Sequence, residues 1–149
     1  MAGGANPPKK GKTMFDITSL QIADTATYHV TDAKGTPQYD GETPITITIH
    51  SPGVKKASAA KFALEKKRSE RVFTKMSGKD DGMTEADERR ERAVFLAEIT
   101  ASLNGFEYKG GAAELYANPR LQHIANGVEK LFGDLGNFAP SSATELPSS

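Results

Sequence analysis

No cysteine occurs in this 149-residue chain, which excludes a disulfide framework, a thiolate zinc site and a cysteine nucleophile, and leaves burial alone to hold the fold. Net charge is missing as well. The 19 Lys and Arg balance the 19 Asp and Glu, so no whole-protein field draws the chain toward nucleic acid or membrane, and any attraction must be local. Long apolar runs are absent, and the opening Met1-Ala2-Gly3-Gly4-Ala5-Asn6-Pro7-Pro8 has no apolar signal core. A soluble, unexported protein is expected. With 37% hydrophobic residues, its core must be modest.

What is present divides the chain into a folded middle and two polar ends. Residues 1–13 join Gly and Pro to Lys9, Lys10 and Lys12, and residues 139–149 are rich in Ser and Pro; both are expected to be flexible tails. A single α+β domain is expected over 14–138. Its N-terminal part is Thr-rich, with a strand near Thr27-Tyr28-His29-Val30-Thr31 running into a turn at Asp32 to Pro37, which predicts a hairpin. In Pro44-Ile45-Thr46-Ile47-Thr48-Ile49-His50 the isoleucines must share one face of a strand and the threonines the other. Ser51-Pro52-Gly53 ends it.

About three helices are expected to follow. The first covers Val54 to Met76, with an apolar face read from Phe62, Ser69, Val72, Phe73 and Met76. Thr84-Glu85-Ala86-Asp87 predicts a capping box opening the second, whose stripe of Ala93, Leu96, Ala97, Thr100 and Leu103 predicts helix as far as an αL cap at Asn104-Gly105. Phe106-Glu107-Tyr108 reads either as a short strand or as a segment that simply pins the connection. Asn118-Pro119 predicts the start of the third helix, with Leu121, Ile124, Ala125, Val128, Leu131, Phe132 and Leu135 on its apolar face.

Residue types that carry chemistry are scattered. His29, His50 and His123 lack a second histidine at ligand spacing, which favours structural or exposed roles. The run Lys79-Asp80-Asp81-Gly82-Met83-Thr84-Glu85 is too short for a calcium loop and has Met83 inside it. Gly3-Gly4, Gly110-Gly111 and Gly133-Asp134-Leu135-Gly136 are not followed by the Gly-Lys-Ser/Thr of a phosphate loop. No G-x-S-x-G or S-x-x-K element supplies a nucleophilic serine. Neither a catalytic site nor a metal or cofactor is therefore expected. The basic first helix, with Lys55, Lys56, Lys61, Lys66, Lys67, Arg68 and Arg71, could meet phosphates, but no aromatics interleave its charges as a stacking surface needs, so nucleic-acid binding is the lesser reading.

Several segments in order carry a resemblance: the Ile-rich strand with Ser51-Pro52-Gly53, the Lys/Ala-rich helix, Leu96-Ala97-Glu98-Ile99-Thr100, Leu115-Tyr116-Ala117-Asn118-Pro119, and Phe132-Gly133-Asp134-Leu135-Gly136-Asn137-Phe138. Over about residues 42–138 the chain resembles tail assembly chaperones of long-tailed bacteriophages. The sharpest part is Tyr116, Asn118-Pro119, Ile124, Val128, Asp134 and Asn137-Phe138. The resemblance implies a non-enzymatic factor of the host cell cytoplasm that binds the tape-measure protein and helps tail-tube subunits polymerise around it. It assigns no contact residues. By analogy with apolar helix docking, the expected partner face is Leu121, Ile124, Val128, Leu131 and Phe132, with Phe138 at its end. The alternative is a structural virion protein, such as a neck, tail or capsid-decorating subunit, and self-association stays open.

Overall fold

Alternation of Ile and Thr sets the inner face of the sheet around which this chain folds. The computed structural model describes residues 14–140 and is α+β. Its strands are β1 (Thr25–His29), β2 (Tyr39–Asp40), β3 (Thr43–Pro44), β4 (Thr46–His50) and β5 (Thr100–Asn104). Its helices are α1 (Lys55–Met76), α2 (Glu85–Ile99), α3 (Gly111–Ala117) and α4 (Gln122–Phe132). Ile22–Phe138 is one compact unit. The described residues before it hold a 3-10 turn, Ile17–Leu20, whose first amide turn is closed by the Asp16 carboxylate accepting from the Thr18 amide at 3.1 Å. The tail expected over 1–13, and that over 139–149 apart from Ala139 and Pro140, lie outside the described residues.

β4 is the middle strand of an antiparallel sheet ordered β1-β4-β5. Ile47 and Ile49 are fully buried, opposite Tyr28 and Ala26 of β1. On the other face the Asn104 amide donates to the hydroxyls of Thr46 and Thr48, at 3.0 Å each, which satisfies both of its N–H groups across the strand pair. The expected hairpin region is present: Thr31 bridges Pro37, the Asp32 carboxylate accepts from the amides of Lys34 and Thr36, and β2 pairs β3 beyond it.

β5 corrects the expected second helix. The helix stops at Ile99, and Thr100–Asn104 pairs with β4, placing Leu103 beside Ile47 and Thr100 beside Ile49. A buried central strand needs hydrogen-bond partners on both edges, and this requirement outweighs the helical spacing of Thr100 and Leu103. Gly105 does take a left-handed φ of +88°, but it turns the chain out of a strand and not off a helix. The short strand entertained at Phe106-Glu107-Tyr108 does not form.

Among the described residues there are four helices where about three were expected, because Gly111–Ala117 is helical in its own right. Asn118-Pro119 separates two helices: the Asn118 side chain accepts from the Arg120 amide at 2.8 Å, and α4 begins only at Gln122. The capping box at the start of α2 forms as expected, with Asp87 N–H donating to Thr84 Oγ1 and Thr84 N–H to Asp87 Oδ2, both at 3.1 Å. α2 is the hub of the helical layer and packs against α1, α3 and α4. Arg92 reinforces this from α2, donating from Nη1 to Asn126 and Glu129 and from Nη2 to Gln122, all on α4 or at its start.

Candidate docking surface

The face expected to bind a partner is turned inward. Ile124, Val128, Phe132 and Phe138 are buried in the core, and Leu121 and Leu131 are half-buried against it. Phe132 meets Phe95 of α2 edge to face, with ring centroids 5.6 Å apart. Phe138 is held by its carbonyl, which accepts from the Ala23 amide at 2.7 Å. The sequence pattern identified these six residues as one apolar group, and the fold spends that group on internal packing with β1 and α2.

Apolar surface is left to solvent on α1, as it is at Met14, Phe15, Ile17 and Leu20 in the described residues before the compact unit. Phe62, Val72, Phe73 and Met76 are 69%, 57%, 71% and 79% exposed. These are the residues whose spacing predicted the apolar face of this helix. The core side is instead built from Ala57 and Leu64, with Ala60 partly buried. The reason is steric: small side chains let α1 lie close to α2, whereas the bulk of Phe62 and Phe73 would hold the helices apart. Phe62, Ser69 and Met76 recur every seven residues with Phe73 between them, so they form a row along about 21 Å of helix.

Charge surrounds this row. α1 has eight basic and two acidic residues, a net charge of +6 on a neutral chain. Two of its cations are engaged internally. Arg71 forms a two-pronged pair with Glu91 of α2, which holds its guanidinium above the usual Arg range, and Lys75 lies 3.5 Å from Asp81. Lys55, Lys56, Lys61, Lys66, Lys67 and Arg68 are exposed and take part in no ion pair among the described residues.

Beside α1, a groove of about 410 Å³ runs between α1 and α2, with Ala60, Ala63, Leu64, Val94 and Phe95 among its walls and Met83 at its end. Its rim mixes Lys67 and Arg90 with Asp87 and Glu98. Polar clusters elsewhere are occupied with structure. Asp80 and Asp81 accept from the amides of Gly82 and Met83, and the Met83 amide, more than Lys75, holds the Asp81 carboxyl below its ordinary range. His29 Nε2 lies 2.9 Å from the Gln38 carbonyl, and its ring stands edge-on to Tyr39. Among the described residues no group of three or more His, Cys, Asp or Glu is placed to hold a metal ion, and no helix is long and apolar enough to cross a membrane.

No protein-family model, curated protein or solved structure matches this chain.

Proposed function

We propose that this protein is a non-enzymatic assembly chaperone of a long-tailed bacteriophage, working in the host cell cytoplasm by binding the tape-measure protein while tail-tube subunits polymerise around it. One observation carries the reading: α1 leaves Phe62, Val72, Phe73 and Met76 more than half exposed along its length, while the apolar face of α4 is buried. A tape-measure chain exposes apolar helical surface until the tube covers it, and a helix face of this kind can shield such surface from aggregation. The resemblance over residues 42–138 supports the same reading. The docking role moves from α4 to α1, because α1 offers its apolar residues without unfolding and α4 does not.

The test is deletion of the gene from the phage that carries it. Electron microscopy of the lysate should show filled heads without tails, and quantitative mass spectrometry of wild-type particles should find the protein absent or far below one copy per tail ring. Stoichiometric presence in mature particles would reject the chaperone and favour the structural virion protein.

A further inference from the structure

The outward row of α1 is matched by charge as well as by shape, and the two together specify a partner. We propose that the occupant of this face is an acidic amphipathic helix of another protein, which lays its apolar stripe along Phe62, Phe73 and Met76 and brings carboxylates to Lys61, Lys66 and Arg68. The proposal rests on the reading that the chain binds proteins, and adds the sign of the partner's charge and the face that it meets.

The competing occupants fit less well. A second copy of this chain would set one helix of charge +6 against another, and like charges across an interface oppose association. The chain's own ends also lack the charge: residues 1–13 contribute Lys9, Lys10 and Lys12, and residues 141–149 contain one acid, Glu145. Phosphates would satisfy the cations but would gain nothing from Met76 and Val72. A bilayer favours a broad apolar face, and this row is narrow and interrupted by Ser69. A helix partner, by contrast, needs only a narrow seam at seven-residue spacing with opposite charge at its flanks.

The experiment uses the full chain and two fluorescent 22-residue helical peptides with the same leucine seam, one with Glu at the flanking positions and one with Gln. By fluorescence anisotropy at low ionic strength, the Glu peptide should bind at least about tenfold more tightly than the Gln peptide, with the gap closing as salt screens the charges. F62S/F73S should abolish binding of both. K61E/K66E/R68E should invert the preference, and all variants should keep the wild-type circular-dichroism melt, since each altered side chain is exposed. Equal binding of the two peptides would overturn the acidic partner while leaving a protein-binding face in place. Binding of neither peptide would overturn the face itself, and the phage deletion phenotype would then stand or fall separately. Tighter binding to anionic phosphatidylserine vesicles or to a single-stranded oligonucleotide, or a dimer in sedimentation that F62S/F73S dissolves, would assign the face to a different occupant and overturn the proposal.

Discussion

The hydroxyls of Thr100 and Tyr116 lie 2.7 Å apart and join the first residue of β5 to α3. Thr100 Oγ1 donates its hydrogen to the Leu96 carbonyl at 2.8 Å, so the Tyr116 O–H is the donor between the two. Tyr116 is fully buried, and this bond satisfies the one polar atom of its side chain. Removing the acceptor by T100V should cost about 1–3 kcal/mol, because it strands a buried hydroxyl. The double variant T100V/Y116F should cost less than its two single changes added together. Urea unfolding followed by circular dichroism reads both, and strict additivity would show that the hydroxyls are not coupled.

The same residue makes stability depend on alkaline pH. Burial, with a smaller influence of Tyr28, pushes the Tyr116 phenol from its ordinary 10.0 up to about 12. The folded state therefore keeps its proton over a range in which the unfolded chain gives it up. The contribution is fully present below pH 10 and is lost as pH rises through 12, amounting at most to about 3 kcal/mol. Wild-type stability should fall over that window by more than that of Y116F, which removes this titration. Parallel pH profiles for the two proteins would contradict it.

Gly127 lies in the middle of α4, where replacement of Gly by Ala ordinarily stabilises a helix by about 1 kcal/mol. Here a Cβ would come within 2.5 Å of Cε1 and 2.6 Å of the hydroxyl oxygen of Tyr28 on β1. G127A should therefore destabilise the protein, by about 1–3 kcal/mol, since the ring must move to admit the methyl group. In a Y28A background the same change should become neutral or stabilising. A thermal melt of the four proteins completes the cycle, and stabilisation by G127A alone would contradict the close approach of α4 to the sheet.

Two apolar groups of similar appearance in the sequence should respond oppositely to polar substitution. V128D places a charge at a fully buried position and should unfold the protein, with a loss above about 4 kcal/mol. F62S/F73S alters residues that are 69% and 71% exposed and should change stability by no more than about 0.5 kcal/mol for each substitution. Circular-dichroism melts distinguish these outcomes directly. A folded V128D would return α4 to consideration as a docking face.

Much of the local structure was legible because it depends on neighbours along the chain. The isoleucine alternation of β4, the capping box of Thr84 and Asp87, and a first helix ending at Met76 each follow from residues within a turn or two of one another. The grouping of Ile124, Val128 and Phe132 on one side of α4 was equally readable. None of these patterns states what lies opposite them.

By itself, then, the sequence determined which stretches can be strand or helix and which side chains share a face. The tertiary structure decided which face is covered. Thr100–Asn104 became a strand because β4 had a free edge beside it, a fact that helical spacing does not contain. α1 buried Ala57 and Leu64 and left Phe62 and Phe73 in water, because the distance between packed helices is set by the side chains of both. Burial is a property of pairs of elements far apart in the chain, and this is why α4, where periodicity pointed, has its apolar face covered, while α1 keeps an exposed apolar row.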